Sequence, residues 1–330
     1  APCYVKKYFY TVCTESAAAK RDGDIISAPP FFGIRLIFAL FLHTAERCIF
    51  IMCGIVGYVG NKPVVDILMD GLEQLEYRGY DSSGIAVMCP EDIKVYKAIG
   101  KLQNLRDKLR GHEKEFNTST MGIGHIRWAT HGAPTLLNAH PHTCNCGRLV
   151  VVHNGIIENY KELRQKLEAE GCVFKSQTDT ETVAHLVARK YSVCKDLTEA
   201  VRLASKEIEG AYALCVMHND CKNTLVITKR NAPLLVGVGQ GEYFAASDVP
   251  AIIKHTNKAV YLEDNQIATL TPDSMEIIDV EGNSVKAKVE VLPWEPVALS
   301  KMGYKHFMLK EIMEQPKAIM DTINPRIKDG

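Results

Sequence analysis

The sequence predicts an α+β fold with antiparallel sheet, and two observations predict it. Between residues 64 and 209, apolar residues recur at helical spacing in separate blocks. After Gly210 the pattern changes to a succession of short β-rich segments, at 211–217, 224–228, 234–238, 243–246, 259–262, 266–270, 275–279 and 285–292. Strands this numerous, with helices grouped apart, argue against a doubly wound parallel sheet.

Residues 1–52 do not share this patterning. Their apolar run, 31–42, is broken by Arg35 and is too short to span a bilayer. The segment reads as an upstream extension, either read-through, propeptide or leader, that is not part of the mature domain. Order begins at Cys53, where Gly54-Ile55-Val56-Gly57-Tyr58-Val59 seeds a strand. Val64, Leu68, Leu72 and Leu75 then mark a helix that Gly79 is placed to stop. Strands follow at 85–88 and 93–99, and Leu102, Leu105 and Leu109 mark a short helix ended by Gly111. Residues 121–128 read as a buried strand running into the loop 129–134. Residues 149–152 form a continuous apolar strand that ends in His153-Asn154-Gly155. Asn159 with Glu162 predicts a capping box on a helix through Leu163 and Leu167. Thr178-Asp179-Thr180-Glu181 opens a second helix, and a third spans about 197–209.

Composition narrows the function. At 46% hydrophobic and 24% charged, the 330 residues suit an ordinary globular protein. Lys+Arg 39 against Asp+Glu 39 leaves no net charge and no basic nucleic-acid footprint. Eleven cysteines, odd in number and irregularly spaced, fit reduced thiols of a cytosolic protein better than a disulfide framework.

Met52-Cys53 carries a chemical option that internal cysteines lack. If the Met is removed, Cys53 bears a nucleophilic sulfur and a free α-amine, whose pKa of ~7.7–8.0 suits it to accept the thiol proton. The competing reading is a small buried cysteine at a strand start. Arg127 at a buried strand end can grip a carboxylate through its two-pronged guanidinium, or pair with a structural Asp. Asp179 at a helix mouth is either a terminus partner or a counter-charge for an ammonium group. Together Arg127 and Asp179 suit a zwitterionic amino acid. Asn154 and Gly155 can form an oxyanion hole, or an Asn-Gly hairpin turn. His140, His142, Cys144 and Cys146 alternate at one-residue intervals, which departs from the paired spacing of zinc sites, so no metal is assigned. Gly237-Val238-Gly239-Gln240-Gly241 precedes a strand-like run and reads as a hairpin turn instead of a dinucleotide fingerprint.

The ordered set of Cys53-Gly54-Ile55, Arg78-Gly79-Tyr80-Asp81-Ser82, the run from His125 to Gly132, Asn138-Ala139-His140-Pro141-His142, His153-Asn154-Gly155-Ile156 and Thr178-Asp179-Thr180-Glu181 closely resembles the glutaminase domain of the glutamine–fructose-6-phosphate aminotransferase (isomerizing) family, the glucosamine-6-phosphate synthases. The resemblance covers roughly 53–330, and the closing segment 304–316 resembles this family specifically. It implies a class II, N-terminal-nucleophile (Ntn) hydrolase fold, a four-layer αββα sandwich of two antiparallel sheets between helix layers. It implies an amidotransferase domain over 53–292, and over 293–330 a linker and the start of a sugar isomerase (SIS) half.

The roles implied by the resemblance are specific. Cys53 attacks the side-chain amide of L-glutamine with its own α-amine as base, through a water, giving glutamate and ammonia by way of a γ-glutamyl thioester. The Asn154 side chain and the Gly155 amide hold the oxyanion. Arg127 binds the substrate carboxylate and Asp179 its ammonium. Thr130 and His131 lie on the loop that closes over glutamine, Trp128 gates ammonia passage, and Arg78 sits close to the nucleophile. No cofactor and no metal are implied, nor a nucleic-acid or membrane partner. Fructose 6-phosphate is reached through the isomerase half, in a cytoplasmic homodimer that serves hexosamine and UDP-GlcNAc synthesis. The alternatives are another class II amidotransferase of the phosphoribosyl type, against which 304–316 argues, or a catalytically silent glutamine-binding domain if the extension stays attached.

Overall fold

The computed structural model describes residues 53–128 and 132–292, with 309, 312–313 and 315–316. The extension 1–52, most of the segment 293–330, and Thr130 and His131 lie outside the described residues. The first half of the chain runs β1 (Gly54–Val59), α1 (Val64–Leu75), a 3-10 turn (Glu76–Arg78), β2 (Ser82–Met88), β3 (Ile93–Ile99), α2 (Leu102–Leu109), α3 (Glu113–Phe116), β4 (Met121–Arg127) and β5 (His142–Thr143). Then come β6 (Leu149–Ile157), α4 (Tyr160–Ala169), α5 (Asp179–Cys194) and α6 (Leu197–Glu207). The remainder is β7 (Gly210–His218), β8 (Leu225–Arg230), β9 (Leu235–Val238), β10 (Tyr243–Ala246), β11 (Lys258–Tyr261), β12 (Gln266–Leu270), β13 (Met275–Asp279) and β14 (Glu290–Val291).

Two sheets result. One has 8 strands in the order β14-β11-β9-β10-β1-β4-β2-β3, and the other has 6 in the order β13-β12-β8-β7-β6-β5. Their pairings are antiparallel throughout. Side chains alternate between the two faces of each strand, so the central strands of both sheets are buried on both sides, whereas the edge strand β14 is not. Ile55, Val59, Met121 and Ile123 of the larger sheet meet Val150, Val152, Cys215 and Ile227 of the smaller one in the central layer. On the outer face of the larger sheet, Val56 and Ile126 pack with Leu68, Leu72 and Leu75 of α1. On the outer face of the smaller sheet, Leu149 and Val151 pack with Leu163, Val183, Val187 and Val201 of α4, α5 and α6. The order of layers is therefore helix, sheet, sheet, helix, as the family resemblance implied.

Several local readings are corrected. The strand β6 does not end at Val152; it continues through His153, Asn154 and Gly155, each paired with β7. The Asn-Gly pair is thus not a hairpin turn. The helix after Asn159 forms without the capping box, because the Asn159 side chain instead donates to the Glu207 carbonyl at 2.8 Å and accepts from the Glu209 amide at 3.1 Å. The expected strand at 285–292 shrinks to Glu290–Val291, which meets only Lys258 and Ala259 at the sheet edge. The hairpin between β9 and β10 is present, closed by the Gly239 amide donating to the Glu242 carbonyl at 2.9 Å.

Candidate active site

Register brings the separated motifs to one end of the central layer. Gly54 at the start of β1 pairs with Ile126 at the end of β4, and Ser82 at the start of β2 pairs with Arg127. Cys53, Asp81 and Arg127 are therefore neighbours at one end of the strands of the larger sheet. Alternation then fixes the faces. Met121, Ile123, His125 and Arg127 point inward in series, as do Val150, Val152 and Asn154 on β6. His125 and Asn154 continue these two apolar stripes and meet across the inter-sheet layer.

Among the described residues, Trp128 holds the thiol of Cys53. The Trp128 N–H donates to Sγ at 3.2 Å, and the thiol can donate back to the Trp128 carbonyl at 3.4 Å. Burial pushes the Cys53 thiol above its ordinary pKa, while the Trp128 N–H and the charges of Arg127 and Arg78 pull it down. Without a base the resting group is a thiol. Trp128 itself stands edge-on to Tyr80, with ring centroids 5.6 Å apart. Gly79 permits this approach, since a Cβ there would lie 2.9 Å from the Arg127 carbonyl carbon and 3.0 Å from the Trp128 nitrogen.

Arg127 is 4% exposed, and its Nη2 donates to the Gly132 carbonyl at 3.3 Å. Burial pulls its pKa down, and the neighbouring Cys53, Asp81 and Asp179 oppose that shift. Arg78 sits on the 3-10 turn and pairs with Asp248 at 3.1 Å, close to Ser247. Ser247 in turn accepts from the Ile55 amide at 3.1 Å, which ties this turn to β1.

Asp179 is the first residue of α5 and is 5% exposed. Its Oδ2 accepts from the Ile157 amide at 2.9 Å, so the carboxylate reaches back to the end of β6 and does not cap its own helix. Gly155 lies between these groups with φ +124, and a Cβ there would sit 2.0 Å from the Ala211 carbonyl oxygen. Only glycine fits this position.

Asn154 is fully buried. Its Nδ2 donates to the Cys53 carbonyl at 3.3 Å, and its Oδ1 lies 3.0 Å from His125 Nε2. Behind it stands a histidine cluster that sequence reading divided differently. His140 stacks on His125 with centroids 4.1 Å apart, and its Nε2 meets Thr180 Oγ1 at 3.3 Å. His142 Nε2 meets Thr178 Oγ1 at 3.1 Å, and His153 Nδ1 meets Thr180 Oγ1 at 3.0 Å. The His-Pro-His pair thus braces the N-terminal turn of α5. Cys144 and Cys146 stand apart from it, with their sulfurs 3.2 Å from each other.

The structure therefore brings Cys53, Trp128, Arg127, Arg78, Asn154, Gly155 and Asp179 to one region. Sequence reading missed His125 as a member of it. The signal was present in the period-two series that ends His125-Ile126-Arg127, which puts the imidazole and the guanidinium on the same face.

Comparisons with known proteins identify relatives of the whole domain. A family model described as "Glutamine amidotransferase domain" matches residues 135–254. The glutamine–fructose-6-phosphate aminotransferase (isomerizing) of Streptomyces coelicolor is 50% identical over 279 residues, covering 84% of this chain and 45% of that protein. Its counterpart from Aquifex aeolicus is 51% identical over 272 residues, covering 82% and 45%. The chain thus spans about half the length of the curated relatives it matches. Among solved structures, the glutamine phosphoribosylpyrophosphate amidotransferase of B. subtilis superposes with a TM-score of 0.60 at 25% identity, over 69% of this chain and 49% of that one.

Proposed function

Because this chain belongs to the glutamine–fructose-6-phosphate aminotransferase family and carries its glutamine amidotransferase domain, we propose that it hydrolyses the side-chain amide of L-glutamine through Cys53. The observation that carries the proposal is the convergence on Cys53 of the Trp128 N–H and the Asn154 amide, beside the buried charge of Arg127.

The reaction starts from Cys53 as the N-terminal residue, with 1–52 removed. Its neutral α-amine takes the thiol proton, directly or through a water, and the thiolate attacks the γ-carbonyl carbon of glutamine. The carbonyl oxygen becomes an oxyanion, for which Asn154 Nδ2 and the Gly155 N–H are the donors. Collapse of the tetrahedral intermediate breaks the C–N bond. The ammonium formed on Cys53 returns its proton to the leaving nitrogen, and ammonia departs. Water then adds to the thioester with the same amine as base, and glutamate leaves. Arg127 binds the substrate α-carboxylate and Asp179 its α-ammonium. Thr130 and His131 close over the bound amino acid, Arg78 supports the nucleophile's surroundings, and Trp128 gates the exit of ammonia.

In the whole protein, the ammonia passes to fructose 6-phosphate in an isomerase half that follows residue 293, giving glucosamine 6-phosphate for hexosamine synthesis. On this reading that protein is a cytoplasmic homodimer. The phosphoribosyl alternative rests on fold likeness at 25% identity, whereas relatives near 50% identity favour the hexosamine reading. The test is glutamine turnover by protein starting at Cys53, beside its Cys53→Ala variant. Equimolar glutamate and ammonia from the first, and none from the second with glutamine binding retained, is the expected result. Equal turnover by both would refute the assignment.

A further inference from the structure

An oxyanion hole built on an asparagine side chain has a weakness that one built on backbone amides lacks. The two ends of a carboxamide are almost the same shape, and a rotation of 180° replaces the donor with an acceptor. In such a site the flipped form would present a carbonyl oxygen to a developing negative charge. Something must therefore hold the amide the right way round, and the surroundings of Asn154 contain such a group.

His125 Nε2 lies 3.0 Å from the backbone carbonyl of His153 and 3.0 Å from Asn154 Oδ1. A backbone carbonyl can only accept, so Nε2 must carry its hydrogen. With Nε2 a donor, the Asn154 atom facing it must be the oxygen. The other end of the same amide faces a second obligate acceptor, the Cys53 carbonyl, at 3.3 Å. Both neighbours therefore enforce one orientation, and it is the one that turns the N–H₂ toward the nucleophile. One of the two N–H bonds goes to the Cys53 carbonyl, and the second remains for the substrate.

The tautomer of His125 is itself enforced. The imidazole is 1% exposed, and its Nδ1 has no hydrogen-bond partner among the described residues. Moving the hydrogen from Nε2 to Nδ1 would leave Nε2 against two carbonyl oxygens and a donor with nothing to receive it. Protonating both nitrogens is no easier: burial and the nearby Arg127 and His153 outweigh the hydrogen bond to Asn154, and the pKa falls to about 3. Below the ring, His140 stacks at 4.1 Å and is fixed in turn: its Nδ1 accepts from the His153 amide at 3.4 Å and its Nε2 meets Thr180 Oγ1.

We propose that His125 is a positioning residue for the oxyanion donor: its Nε2–H, shared between Asn154 Oδ1 and the His153 carbonyl, locks the Asn154 amide with its N–H₂ end toward Cys53. His125 does not touch the substrate and transfers no proton. It acts through Asn154 and stabilises the transition state more than it stabilises bound glutamine. This rests on the glutaminase reading above.

The test compares His125→Asn and His125→Gln with wild type in protein matured to Cys53. Asparagine is too short to put a donor at the Nε2 position, whereas the glutamine amide nitrogen reaches it. His125→Asn is expected to lower kcat for glutamine hydrolysis by about 10²-fold, the scale of one lost oxyanion donor, with KM within about threefold. His125→Gln is expected to keep kcat within about tenfold of wild type, because the donor is restored. In an Asn154→Ala background, His125→Asn should cost less than about threefold further, since its effect runs through the missing amide. An undiminished kcat in His125→Asn, or an equal loss in both variants, would overturn the inference. Should the Asn variant fail to fold, His125→Gln decides alone: retained turnover supports the donor and a hundredfold loss overturns it. Wild-type protein that releases no ammonia from glutamine overturns the glutaminase reading and this inference together. Active wild type with active His125→Asn overturns the inference alone.

Discussion

The backbone N–H of Trp128 points at the sulfur of Cys53 across 3.2 Å, so the strand end that carries Arg127 also holds the Cys53 thiol. The two residues are 75 positions apart, and the antiparallel pairing of β1 with β4 closes that distance. The thiol and the guanidinium are thereby fixed by one element of rigid sheet.

The first prediction concerns the oxyanion donor. Asn154→Ala removes the Nδ2 that now donates to the Cys53 carbonyl at 3.3 Å. It should lower kcat for glutamine hydrolysis by about 10²–10³-fold with little change in KM, as loss of one preorganised donor does elsewhere. Steady-state ammonia release measures it, and a KM-only effect would remove Asn154 from the hole.

The second concerns the carboxylate clamp. Arg127→Lys keeps the charge and loses the planar fork. Glutamine KM should rise by about tenfold or more while kcat stays within a few fold, the pattern of lost ground-state binding. An unchanged KM would count against the clamp.

The third concerns the opposite end of the substrate. Asp179→Asn retains an acceptor for the Ile157 amide, now bonded at 2.9 Å, and removes the negative charge. Thermal stability should be nearly unchanged while KM for glutamine rises by roughly tenfold or more, the loss of a charged hydrogen bond. A variant that melts early with normal KM would make Asp179 a structural residue of the β6–α5 junction.

The fourth concerns pH. Burial depresses the pKa of His125 to about 3 and those of His140 and His142 well below their usual value. The unfolded chain takes up these protons near pH ~6.5, and the folded chain does not. Stability is therefore full above that pH and is lost as the pH falls from ~6.5 toward the folded values, on the order of 1–2 kcal/mol at pH 5 from His125. The urea midpoint should be lower at pH 5 than at pH 7.5. Equal midpoints would contradict neutral burial of the cluster.

Much of this architecture was legible because the central strands bury both faces and helices such as α1 and α6 keep one apolar stripe. The spacing of Val64, Leu68, Leu72 and Leu75 gave α1 its length, and all four are buried. What sequence reading missed has local causes. The helix Glu113–Phe116 has four residues and is too short for any periodicity to register. Residues 285–292 alternate like a strand, yet Val289 and Val291 are exposed at 48% and 67%, because only β11 borders that edge. Asn154-Gly155 carries the composition of a tight turn, but Gly155 uses its positive φ inside a paired strand. The histidine cluster was not legible as one unit for a different reason, since His140 and His142 were weighed only as metal ligands beside Cys144 and Cys146. The partners of the histidines are Thr178, Thr180 and Asn154, each on another element, and no spacing along the chain records a contact across the sandwich.

All of the proposed chemistry depends on an unacylated nitrogen at Cys53. Intact-mass and N-terminal peptide analysis of a preparation that is turning over glutamine tests this most directly. The active molecules are expected to begin at Cys53. Turnover by molecules that still carry residues 1–52 joined to that cysteine would contradict the proposed chemistry.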